Sequence, residues 1–355
     1  MPLSMPCLPA SQCNTCKDAC WHGFAKFSQR ETRKDQVALL EQDADAAVSN
    51  IDKHTETNVE PDEPETEMNG IPALPEPVTI QVQESNIAAF SLPQECISYV
   101  PEPGAVICRF ENGVCERMIS CNTELSKDEL SMLQAFQEEV VKQKKAFCPS
   151  LINAAVRYLN DTGSVEDALQ NMEETQAWRL SYFKQPILDT DLLDDLKRGL
   201  IYFCGRDKAL RPALVLRASR VPIGMPSEQF GRLFVFCMEY FFRYMMVPGR
   251  VENVVVLVDL KDVSYSQIPG VAALMELKEV LSKQDAGRVF CFYVCNMPFI
   301  VRAITSVVQA AMTEKQRQKM RFVSDARPVQ HAFPSLRCLK LSLWVGSKEM
   351  ISNDF

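Results

Sequence analysis

The chain has 355 residues, 46% of them hydrophobic, and a formal net charge of −8. That length holds two domains, or one large domain with an extended tail. The charge is uneven: residues 1–128 carry 9 basic against 21 acidic groups, while residues 129–355 carry 29 against 25. So mild a basic excess gives no reason to expect nucleic acid, but it suits transient contact with an anionic membrane surface.

Met1-Pro2-Leu3-Ser4 lacks the charged and apolar regions of a secretory signal, so the 14 cysteines read as reduced thiols in a cytosolic compartment. Residues 1–34 are basic and Cys-rich, with Cys7, Cys13, Cys16, Cys20 and His22 close together. Three readings stay open for that cluster. It is an inert tail, a set of S-acylation sites beside Trp21, Phe24, Phe27 and several Lys and Arg, or half of a zinc site with no second well-spaced pair. Pro2 excludes N-myristoylation. Residues 35–77 hold 12 acidic groups, one Lys, five Pro and no aromatic residue, which predicts a disordered linker and a tail spanning 1–77.

Over 78–122 the pattern turns to strands. Val78, Ile80 and Val82 alternate with polar residues, and Asn112-Gly113 separates two short apolar runs as a hairpin turn would. This predicts a small β element. A helical cap is expected over 123–200. Ser126 and Glu129 form a capping-box pattern ahead of a helix running to about Phe147. Helices follow over Leu151–Leu159 and Val165–Tyr182, with Gly163 as C-cap and Ser164 as N-cap.

From 201 to 346 strands and helices alternate. Strands are expected at Ala213–Arg217, Asn253–Leu260, Val289–Val294 and Met320–Ser324, with an edge strand at Leu339–Val345. Helices are expected at Ser227–Val247, Gln267–Lys283 and Pro298–Met312. Continuous β-branched runs such as Val254–Val258 fit strands buried on both faces, hence an α/β fold with a mostly parallel sheet flanked by helices. The apolar run Leu233–Val247 contains Glu239 and Arg243, whose i,i+4 spacing predicts an ion pair on a soluble helix rather than a membrane span.

Catalytic signatures are missing. The chain has no Gly-x-Ser-x-Gly elbow, no Walker or dinucleotide loop, and only three histidines (His22, His54 and His331). No catalytic residue, cofactor or metal is assigned.

Five short signatures remain: Arg157-Tyr158-Leu159 with Gln176-Ala177-Trp178-Arg179; Gly205-Arg206-Asp207 with Arg211-Pro212; Met238-Glu239-Tyr240; Val254 to Lys261; and Phe292 to Pro298. Together, over roughly 125–345, they resemble the CRAL-TRIO family of lipid-binding domains, typified by phosphatidylinositol/phosphatidylcholine transfer proteins. The resemblance implies a helical cap joined to a sheet whose floor and a mobile gate helix enclose one phospholipid or other hydrophobic ligand. It also implies exchange between membranes, by a cytoplasmic and peripherally membrane-associated protein. Gly205, Asp207, Arg211, Pro212 and Asp259 would be structural, the Asp207 and Arg211 side chains pairing locally.

The gate would run from Pro298 to Met312 with Phe299, Ile304 and Val308, although by periodicity alone such a stripe is more often a plain core-facing helix. Tyr240, Phe241 and Tyr244 would form the facing wall, and Val254 and Val256 stand where the family places choline-site hydroxyls. Arg288, Arg317 and Lys319 are the candidate headgroup cations, or else a solvated surface. Gly287 replaces the family's acidic residue, and the basic run is reduced to Arg157. This erosion supports a second reading, a docking module with a collapsed cavity.

Overall fold

The computed structural model describes residues 67–68, 71–82, 92–110, 113–267, 278, 280, 284, 286–298, 309–310 and 312–323. All lie in one of two compact units, Thr66–Phe355. The Cys-rich cluster, the helices expected over 267–283 and 298–312, and the strand expected at 339–345 fall wholly or almost wholly outside the described residues.

The first elements are short. Strands β1 (Glu67–Met68) and β2 (Ile71–Pro72) pair antiparallel, and Ala73 bridges Phe147. Strand β3 (Ile80–Gln81) pairs in parallel with β6 (Ile187–Leu188), placing Ile80 and Ile187 in the main core. Helices α1 (Gln94–Ser98) and α2 (Pro103–Val106) precede the hairpin of β4 (Ile107–Arg109) and β5 (Cys115–Arg117). Gly113 turns that hairpin at φ +84°, a left-handed conformation that costs glycine nothing.

The helical cap follows its capping signals. In α3 (Lys127–Lys142) the Ser126 hydroxyl accepts from the Glu129 amide, and Glu129 accepts from the Ser126 amide. The expected second helix breaks in two, α4 (Pro149–Ile152) and α5 (Ala155–Thr162), with Gly163 capping α5 at φ +71°. Helix α6 (Val165–Tyr182) starts behind Ser164, whose hydroxyl accepts from the Asp167 amide. Phe136, Val140, Phe147, Tyr158, Leu159 and Met172 form the core between these helices. Gln176 clamps it: its amide accepts from Cys148 N and donates to Ala146 O, each at 2.8 Å.

After α7 (Leu193–Lys197) comes the main sheet: β7 (Ile201–Arg206), β8 (Pro212–Arg217), β9 (Val254–Asp259), β10 (Val289–Cys295) and β11 (Met320–Val323), in the order β11-β10-β9-β8-β7. The last four strands run parallel and β7 is antiparallel to β8, so the sheet is mostly parallel, as expected. Strand β7 went unforeseen because Gly205 reads as a turn residue. It instead sits at φ +67° inside the strand, where the register with β8 shifts between Phe203 and Arg206, as at a bulge.

Helix α8 (Ser227–Tyr240) crosses one face of the sheet and continues as a π-helical turn, Phe241–Met245. Leu233, Phe234 and Phe241 pack there with Leu214, Val254 and Val256. Helix α9 (Glu314–Gln318), with its own capping box from Thr313 and Gln316, leads into β11. Among the described residues no helix is long and apolar enough to cross a membrane.

Candidate functional site: an apolar floor and a charged corner

Strand register sets out the floor. Leu214, Val256, Phe292 and Met320 are cross-strand neighbours in one row, and Leu216, Val258, Val294 and Phe322 in the next. Residues two apart on a strand share a face, so both rows face the α8 side. Leu214, Val254 and Val256 are sealed beneath α8, at 0–1% exposure. Leu216, Val258, Phe292 and Met320 are only partly buried, and Phe322 is 40% exposed. Two expected ligand-facing residues, Val254 and Val256, are thus core residues; Val258, the next on that face, is the one left partly open.

The π-helical turn shapes the wall. Met246 N donates to Phe241 O across five residues, and this wider turn sets Tyr244 under Tyr240 with ring centroids 4.9 Å apart. Phe236 and Phe203 flank Tyr240 at 6.4 and 6.2 Å. Tyr240 is 9% exposed, Phe241 fully buried and Tyr244 half-buried. Phe299, Ile304 and Val308 lie outside the described residues.

A charged corner forms where α5, the β4–β5 hairpin, the start of β10 and the α9–β11 junction converge. Arg157 on α5 lies over Gly287, where an added Cβ would approach Arg157 Cγ to 3.1 Å. Gly287 has φ +69°, so both its backbone and the stem of Arg157 exclude the acidic side chain of the family pattern. Arg288, 9% exposed, donates to the Glu252 backbone oxygen and carboxylate at 3.3 and 3.5 Å. The Lys319 ammonium donates to Glu116, which lies on β5, 203 residues earlier. Lys315 ties α9 to α5 by donating to Asn160 O and Asp161 O. Arg288 and Lys319 are therefore enclosed in this corner. Arg317 stands outside it, half-exposed and paired with Glu314 at 2.9 Å.

Neither carboxylate partner was foreseen. Glu252 sits just before an apolar strand and Glu116 inside a short hairpin, where single acidic residues read as solvated. Glu252 is 1% exposed and also accepts from the amides of Ser120, Cys121 and Gly249. Arg157 is 8% exposed, and its Nε and Nη1 donate to no group among the described residues.

The residues expected to be structural hold the frame. Asp207 and Arg211 pair at 2.7 Å, and Asp207 also caps the amides of Ala209 and Arg211. Asp259 accepts from Asn296 at 2.8 Å and from Lys261 N at 3.0 Å. The expected Glu239–Arg243 pair does not form. Glu239 is bound by Arg179 at 2.7 and 3.2 Å, while Arg243 donates to Ile80 O at 3.0 Å. Long-range geometry overrides the i,i+4 spacing because the two side chains leave the helix toward different neighbours.

The family model of the CRAL/TRIO domain matches residues 196–335, which span the whole sheet. Among solved structures, one described as "Crystal structure of Sfh5" is similar at 12% identity and a TM-score of 0.46, covering 59% of this chain and 85% of that one. No curated protein matches the chain. By the family model alone, residues 196–335 match the CRAL/TRIO domain, a family that generally binds lipophilic ligands.

Proposed function

We propose that this chain binds one phospholipid or other hydrophobic molecule over the floor of Leu216, Val258, Phe292 and Met320, and exchanges it with membranes. The observation that carries this reading is the half-buried apolar strip beside a fully sealed core on the same face of a CRAL/TRIO sheet. Tyr240 and Tyr244 wall the strip, and the 298–312 segment, with Phe299, Ile304 and Val308, closes over it as a gate. The ligand's polar end lies toward Arg157, Arg288 and Lys319, with Arg317 at the rim.

Burying acyl chain drives capture at about 0.8 kcal/mol per methylene. Gate opening at a membrane offsets that affinity and lets the ligand leave. The role is binding and presentation rather than catalysis, in a cytoplasmic protein brought to membranes peripherally. S-acylation at Cys7, Cys13, Cys16 and Cys20 would strengthen that contact. Hydroxylamine-sensitive acyl exchange that disappears when all four are changed to Ser supports that anchor; no signal from the unmodified protein rejects it.

One observation favours a docking module instead: both headgroup cations, Arg288 and Lys319, already have carboxylate partners. Filling the floor discriminates between the two. In Val258→Trp the lipid reading predicts a folded protein whose extracted lipid falls to a small fraction of the wild-type amount. Equal lipid recovery from both would reject the floor as the binding site.

A further inference from the structure

Residues 73–82 run from the helical cap to the main core as an extended strap, and they come from outside the 196–335 match. The strap is held at two places. On the cap, Ala73 bridges Phe147, and the Leu74 amide donates to Phe147 O at 3.0 Å. The Cys148 thiol donates to Pro75 O, and Glu76 accepts from the hydroxyl and the amide of Ser150 at 2.7 and 3.1 Å. On the core, Ile80 is fully buried, while Thr79 O and Gln81 O accept from the amides of Ile187 and Asp189. Between the two anchors Val78 is 61% exposed. Pro75 and Pro77 stiffen this stretch, since each ring fixes φ, so a displacement at one anchor is carried to the other.

The anchors are unequal. Ile80 sits among the apolar side chains of the main core, whereas Ser150 and Glu76 are exposed. Polar contacts of that kind are weak in water, so the cap end is the one that lets go first. The core end leads to the helix over the sheet: Arg243, inside the π-helical turn Phe241–Met245, donates to Ile80 O at 3.0 Å, and Tyr244 is its neighbour. The cap end reaches the same helix by a second route, because Arg179, which grips Glu239, stands 3.9 Å from Glu76.

We propose that residues 73–82 are a latch through which the N-terminal part of the chain controls the wall of the ligand site. Seated, the strap holds the π-helical turn in place. With its cap end lifted, the turn loosens and ligand exchange becomes faster. Residues 1–66 join the domain covalently through this strap, so an anchor or partner acting on them pulls first on its weak end. The effect on exchange rests on the lipid-binding reading; the coupling from Glu76 to the turn does not.

Hydrogen–deuterium exchange on the full-length protein tests that coupling with no ligand involved. Glu76→Arg removes both acceptors of Ser150 and sets a like charge beside Arg179. The amides of Phe241–Met246 should then exchange about two- to fivefold faster, as loss of a part-exposed polar contact implies, while those of Val254–Asp259, which report global opening, stay unchanged. Pro75→Cys, closed as a disulfide onto Cys148, should slow the same turn amides, and reduction should reverse this. Adding Arg243→Met should abolish the effect of Glu76→Arg at the turn. Turn amides indifferent to both strap variants, an acceleration shared by Val254–Asp259, or one that survives Arg243→Met each overturn the latch. Transfer of a fluorescent phosphatidylcholine to vesicles of phosphatidylcholine and phosphatidylserine is the second readout, expected to be faster in Glu76→Arg and slower in the closed Pro75→Cys variant. A turn that responds in a protein that never carries lipid supports the latch and rejects the lipid reading. Lipid carried at rates blind to both strap variants overturns the control of exchange.

Discussion

Arg179, in the last turn of helix α6, grips the carboxylate of Glu239 with two nitrogens at 2.7 and 3.2 Å, joining the helical cap to the helix that covers the sheet. Both side chains are nearly enclosed, at 12% and 7% exposure. The grip fixes how the cap sits over α8, and so the position of Tyr240, the residue after Glu239. Breaking one side of such a pair strands the other charge, so Arg179→Met should lower stability by about 3–5 kcal/mol, read as a lower urea midpoint. The double variant Arg179→Met/Glu239→Leu should lose less, because no lone charge remains.

Glu129 serves both the α3 capping box and Arg117. Burial alone would raise its carboxyl, but hydrogen bonds from Arg117 and the Ser126 amide outweigh that and hold it at about 2, below the ordinary 4.5. A depressed carboxyl stabilises the folded state above its unfolded value, and the contribution is lost as pH falls from about 4.5 toward 2. Glu129→Gln should therefore lower the urea midpoint at neutral pH, and the gap from wild type should close across that acid window. A gap independent of pH would contradict the linkage.

At Gly287, alanine meets a left-handed backbone and the stem of Arg157 together. Gly287→Ala should cost about 1–2 kcal/mol from the backbone conformation alone. It should also weaken anion binding by moving Arg157. Unchanged stability and unchanged binding would mean that the close approach has no consequence.

The thiols should sort by burial. Burial pushes Cys237 and Cys295 up to about 12 and Cys291 to about 11, leaving them protonated at neutral pH, whereas Cys115 is exposed on the hairpin. Iodoacetamide followed by peptide mapping should find Cys115 labelled well before those three. Comparable labelling of Cys237 would show that α8 opens readily.

Local signals made much of this fold legible. Ser126 with Glu129, Ser164, and the Val254–Val258 run each act over a few residues, and each produced the element expected, while Gly163 caps only the second half of a helix that breaks in two. Strand β7 was hidden because a glycine in a bulge looks like one in a turn. The charged corner was half legible. Arg288 and Lys319 stood out through the family pattern, but their partners did not, since nothing near Glu116 in the chain points to a lysine 203 residues later. Glu239 shows the reverse error: a plausible neighbour at i+4 hid the true partner 60 residues before it.

The central claim is that the protein carries a single lipophilic ligand, and native mass spectrometry of the full-length protein purified from eukaryotic cells tests it most directly. The account predicts a one-to-one complex whose extra mass is that of a lipid, released by organic extraction. Protein that emerges empty, and stays empty after incubation with mixed-lipid vesicles, would contradict the claim.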